Sequence, residues 1–163
     1  PQSQQIEIFD SLKGIIDAVC GGYNGTIVAY GQTGSGKTHT IFGEEGRMGN
    51  NVNAGLIQRS LEAIFNKITL SNTSNEDKHI IRTTTMTSFY EIYNEGVYDL
   101  LSKESSNDEG LPVREDAKKE VYVEGLTKVQ VSNTMEAMGV LHSGTKNRKV
   151  ASTKMNRASS RSH

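Results

Sequence analysis

Thr26-Ile27-Val28-Ala29-Tyr30-Gly31-Gln32-Thr33-Gly34-Ser35-Gly36-Lys37-Thr38-His39-Thr40 is the stretch on which the fold turns. It opens on an apolar run of strand type and closes on a segment that suits a helix. Between them lies a glycine, four residues, then Gly-Lys-Thr, the spacing of a phosphate-binding loop. Glycine has no Cβ and tolerates positive φ, so the backbone here can curl closely around an anion. Successive N–H groups then point into one concavity. The following helix adds its unpaired first N–H groups. Lys37 supplies a cation for the β and γ phosphates of a nucleotide. Thr38 supplies a hydroxyl, a hard oxygen ligand that suits Mg²⁺. The required context is a buried strand before the loop and a helix after it, and the sequence predicts both.

The totals narrow the class. A chain of 163 residues suits one domain or part of a larger one. The formal net charge of -1 offers no global basic field to bind nucleic acid. Cys20 is the single cysteine, so no internal disulfide can form, which fits a reducing, intracellular setting. No apolar run approaches the length needed to span a bilayer, and no signal-peptide pattern is visible. His39, His79, His142 and His163 are scattered and lack zinc-ligand spacing with Cys20.

Outward from the loop, Ile8, Leu12, Ile15, Ile16 and Val19 fall on one helical stripe between Ser3, the expected N-cap, and Gly21-Gly22, the expected stop. After Thr38 the sequence predicts one long helix broken by a surface loop over about Glu44 to Asn53. A second stripe follows at Ile57, Leu61, Ile64, Phe65 and Ile68. Thr69 to Lys78 reads as a loop, and His79 to Tyr93 as a strand rich in Thr, Ile, Phe and Tyr. Val97 to Leu101 is expected to make one helical turn. Short strands are expected at Leu111 to Glu115, Val121 to Val123 and Lys128 to Val131. Asn133 with Glu136 three residues later is a capping pattern. It opens a helix whose core face is Ala137, Val140 and Leu141 and whose end is Lys146, Arg148 and Lys149, where positive charge suits the dipole.

A phosphate loop alone describes many unrelated nucleotidases. The C-terminal block Asn156-Arg157-Ala158-Ser159-Ser160-Arg161-Ser162-His163 adds hydroxyls, an amide and guanidinium groups, which a triphosphatase needs facing its γ-phosphate. Alone, that block reads equally as a phosphorylation site or a solvated tail. Together the pieces resemble the kinesin motor domain. Gly22 to Thr38 resembles its phosphate-loop block. Ser88-Phe89-Tyr90-Glu91-Ile92-Tyr93-Asn94-Glu95 with Tyr98-Asp99-Leu100-Leu101 resembles its following strand and turn, and Asn156 to His163 resembles its switch I motif.

The resemblance implies an α/β fold, a P-loop NTPase-type sheet flanked by helices. It implies ATP and Mg²⁺ as ligands. Gly31, Gln32, Thr33, Gly34, Ser35, Gly36, Lys37 and Thr38 would hold the phosphates, with His39 near the adenine. Asn156, Ser159 and Ser160 would sense the γ-phosphate and Mg²⁺. The metal would sit between Thr38 and Ser160, and Arg161 would latch to a switch II glutamate. Arg114, Lys118 and Lys119 could meet the acidic surface of tubulin, or could equally belong to a solvated hairpin. The implied setting is the cytoplasm and its microtubules, with no nucleic acid, no membrane insertion, and dimerisation through segments not in this chain. The family's first strand and everything after switch I have no match here. Residues 1–163 are therefore expected to be a partial motor head, poorly stable and weak or inactive as an ATPase alone. Two other readings stay open on residues alone: another P-loop NTPase such as a kinase or GTPase, and a nucleotide-binding but non-motile microtubule or cargo adaptor.

Overall fold

The computed structural model describes residues 4–44, 52–73, 83–102, 110–118 and 120–154. The chain divides into two compact units, Pro1–Thr83 and Thr84–His163.

The first unit is helical. Helix α1 (Gln5–Cys20) starts from Gln4, not Ser3, and the Glu7 carboxylate accepts the Gln4 N–H at 3.0 Å. Gly21-Gly22 stops it as expected. Gly22, at φ 95°, takes the left-handed position, so its N–H reaches Val19 O and the Tyr23 N–H reaches Ala18 O, each at 3.0 Å. Helix α2 (Lys37–Phe42) follows the glycine-rich loop, and α3 (Leu56–Thr73) packs on both. Phe9, Ile16 and Leu56 form the buried centre, with Ile8, Leu12, Ile27, Ile41, Ala63 and Ile64 packed around it. Phe9, Ile16 and Leu56 each contribute about 1.5–3 kcal/mol by leaving water, and the half-buried residues around them less.

Three expectations shift here. The buried line of α1 runs through Gln5, Phe9 and Ile16, while Val19, at the last turn, is exposed. Helix α3 runs to Thr73, past the expected loop start at Thr69, whose hydroxyl bonds back to Phe65 O at 2.9 Å. Where one interrupted helix is expected, α2 and α3 are separate elements, and the described residues that follow the one and precede the other are tied together. Gly43 and Ala54 form an antiparallel bridge, Glu44 N donates to Asn53 O at 3.3 Å, and Asn53 Nδ2 donates to Glu44 Oε1 at 2.9 Å. Arg59 holds the returning strand through Ala54 O and Val52 O. A Cβ on Gly43 or on Gly55 would strike the other segment's backbone, so glycine permits this crossing.

Among its described residues the second unit shows three antiparallel pairs and a helix. In chain order they are β1 (Thr85–Thr87), β2 (Tyr90–Tyr93), β3 (Gly96–Asp99), β4 (Val113–Glu115), β5 (Val121–Val123), β6 (Val129–Val131) and α4 (Thr134–Lys154). Strands β1 and β6 pair, β2 and β3 form a hairpin, and so do β4 and β5. The expected strand from His79 to Tyr93 is thus two strands on different partners; its first residues, 79–82, lie outside the described ones. Val97 to Asp99 belong to strand β3 and Leu100-Leu101 bend away from it, so no helical turn forms here. Asn94 and Glu95 both adopt positive φ, 48° and 66°, the two-residue turn that matches hairpin twist. Asp99 then joins two segments, its carboxylate accepting Leu101 N and Thr127 N, each at 2.8 Å.

Helix α4 begins on the expected cap. The Asn133 side chain accepts Glu136 N at 2.9 Å, and Glu136 in turn accepts Ser132 N at 2.7 Å. Ala137 is buried, with Val140 and Leu141 half-buried beside it. The helix does not end at Lys149. Arg148 therefore lies within it and donates to the buried carboxylate of Glu91 at 3.3 Å, while Asn147 Nδ2 donates to Leu100 O at 2.8 Å. No helix among the described residues is long and apolar enough to cross a membrane.

Candidate functional site

Two glycines set the entry to the loop. After Gly22 turns the chain, Gly25 passes so close to α1 that a Cβ there would sit 2.6 Å from a Val19 methyl and 2.9 Å from one of Ile15. Residues 26–30 then alternate. Ile27 and Ala29 face inward, while Val28 and Tyr30 are 77% and 98% exposed. The stretch has the period of a strand but no ladder partner among the described residues. Among the described residues it is therefore not the buried strand that the sequence predicts before the loop. A strand is completed by its neighbours' N–H and C=O groups, and none lies alongside.

The loop itself has the curl its glycines allow. Ser35 N donates to Gln32 O at 3.1 Å, closing a turn, and Gly34 and Gly36 stand at φ 83° and 93°. Gly36 caps α2, whose first bond runs from Thr40 N to Gly36 O at 2.8 Å. A Cβ on Gly34 or Gly36 would meet nothing within 4 Å, so there the demand is for backbone conformation and the space in front is open. Lys37 folds back across the curl, its Nζ 2.7 Å from Gly31 O and 2.9 Å from Gln32 O. Gln32, Thr33 and Thr38 are exposed, and no acid lies in the first turn of α2 to compete with an anion. An open curl of amides with one ammonium across it and one hydroxyl beside it fits a phosphate chain and its Mg²⁺. The structure thus brings Gly31 through Thr38 together.

His39 is the next residue, and it has a partner that the sequence reading missed. Gln5 of α1 lies 5% exposed, with its side-chain nitrogen 2.6 Å from His39 O and 3.2 Å from His39 Nδ1. The signal was an amide four residues before Phe9, on the apolar face of the helix. The block expected to act as switch I, with Asn156, Ser159, Ser160 and Arg161, lies outside the described residues. Arg114 pairs with Glu124 at 3.0 Å across the β4–β5 hairpin, and Lys118 is exposed at its turn; Lys119 lies outside the described residues.

The whole sequence, residues 1–163, matches the family model for the kinesin motor domain. This chain belongs to the kinesin motor domain family. It is 51% identical over 151 residues to a kinesin-like protein, KIN-12G, of Oryza sativa, covering 91% of this chain and 12% of that protein. It is 46% identical over 160 residues to the kinesin heavy chain of Syncephalastrum racemosum, covering 98% of this chain and 16% of that one. A solved fast kinesin, described for its ATPase mechanism and interactions with microtubules, superposes with a TM-score of 0.85 at 42% identity. That match covers 98% of this chain and 42% of the solved one. The chain therefore spans a small part of the length of its curated kinesin relatives.

Proposed function

We propose that this chain is the nucleotide-holding part of a kinesin head, and that the intact protein couples ATP hydrolysis to movement along microtubules. The observation that carries the reading is the Gly31–Thr38 curl with the Lys37 ammonium lying across it. Lys37 exchanges its two loop carbonyls for the β and γ phosphate oxygens, and the loop amides take the remaining charge. Thr38 and Ser160 would hold Mg²⁺, which would neutralise phosphate charge. Asn156, Ser159 and Ser160 report on the γ-phosphate, and Arg161 latches to a switch II carboxylate for which these residues offer no match. Residues 1–163 are in this reading part of a head, with its first strand and second switch supplied by other segments of the full-length protein. Lys118 and Lys119 face tubulin, whereas Arg114 must first leave Glu124. Dimerisation belongs to segments outside this chain, and the setting is the cytoplasmic microtubule network.

The test is Lys37→Met in the full-length protein. Microtubule-stimulated ATP turnover is expected to fall about 100-fold or more, because a charge-stabilising donor is lost at the phosphates. Unchanged turnover would reject the assignment of the site. The 163 residues alone are expected to turn over ATP weakly or not at all.

A further inference from the structure

We propose that Gln5 is a positioning residue, holding His39 as the tautomer with its proton on Nε2 and turning that N–H outward toward the base of a bound nucleotide. The proposal rests on the reading of His39 as a base contact. The chemistry follows from one buried amide. The Gln5 atom 2.6 Å from His39 O must be the amide nitrogen, because a main-chain carbonyl only accepts. Turning the amide over would press two carbonyl oxygens together. The same nitrogen lies 3.2 Å from His39 Nδ1. It carries hydrogens and no accepting lone pair, so Nδ1 must be the acceptor. A neutral imidazole that accepts at Nδ1 carries its proton on Nε2.

A second observation separates this from packing. Gln5 is 5% exposed, and its Oε1 is buried with no hydrogen-bond partner among the described residues. An apolar side chain of similar size would fill the space without stranding an acceptor. What only the amide supplies is the donor pair to His39. The imidazole is thereby fixed in orientation and in proton position before any ligand arrives, with a donor on its exposed edge. A purine ring nitrogen is the matching acceptor.

The test compares Gln5→Met, which keeps length and removes the donor, with His39→Ala and the double variant, all in the full-length protein. Gln5→Met is expected to raise KM for ATP roughly three- to tenfold while kcat changes less than about twofold. In the His39→Ala background it should add nothing, since Gln5 acts through the ring. If His39→Ala leaves KM unchanged, the base-contact reading fails and takes this proposal with it. If His39→Ala raises KM but Gln5→Met does not, the role of Gln5 alone is overturned. An additive double variant also overturns it, because Gln5 would then act by packing. Should Gln5→Met fail to fold, ¹⁵N-histidine solid-state spectra of the wild-type protein, assigned by the signal lost in His39→Ala, decide the matter. An unprotonated Nδ1 is the expected result, and a protonated Nδ1 overturns the proposal.

Discussion

Lys67 holds its ammonium 2.9 Å from the Asp17 carboxylate, on the exposed side of the α1–α3 seam. The hydrogen bond to Asp17, and then its charge, raise the lysine above its ordinary 10.5. A raised lysine contributes stability that is fully present below 10.5 and is lost as pH climbs through the folded value. Because both side chains are exposed, that contribution is small. Lys67→Met should therefore melt only slightly below wild type at neutral pH, and the gap should close in strongly alkaline buffer; a gap that widens with pH would contradict the sign. Single residues of this kind were hard to read from sequence. Gly31 to Thr38 was legible because phosphate chemistry dictates residue type at each position. The partner of His39 was not, because Gln5 stands thirty-four positions away and only folding brings the two together.

At the scale of elements, α4 carries two interior glycines with opposite meanings. Gly139 is exposed and has nothing within 4 Å of where a Cβ would stand. Gly144 is buried, and a Cβ there would lie 2.9 Å from Phe89 Cε1 and 3.3 Å from Leu101 Cδ2. Gly139→Ala should stabilise the protein by about 0.5–1 kcal/mol through helix entropy alone. Gly144→Ala should destabilise it by about 1–3 kcal/mol, because Phe89 must move. Thermal or urea unfolding of the two variants distinguishes the signs. Helices were the elements best foreseen, since their periodicity is internal: the apolar stripes fall within α1 and α3 and the cap of α4 is where expected, though α1 starts one residue late and α3 runs on to Thr73. The β2–β3 hairpin was misread because Val97 to Leu101 is too short to show a period. What decides it is a pair of left-handed residues, Asn94 and Glu95, and neither is glycine.

At the scale of the whole molecule, each unit has its own ties, and in the second unit Arg148 reaches Glu91 at 3.3 Å. Glu91 is 4% exposed on β2, and Arg148 joins it from a point far along α4. Arg148→Met should cost about 1.5–3 kcal/mol by removing one charged donor from the Glu91 carboxylate. The second unit should then lose protection in amide exchange before the first does; uniform loss in both would refute a local role. The apolar run 26–30 marks where single-sequence reading stops. Its alternation is visible, but a strand's ladder belongs to its neighbours. The crossing of Gly43 and Gly55 has a different consequence. Because the two helices are stitched together before the chain departs and after it returns, whatever is threaded between Glu44 and Asn53 hangs from a closed neck. Doubling that span would add only about 0.6 kcal/mol of closure entropy. A reporter peptide or fluorophore tag could be grafted there with α2 and α3 left in register.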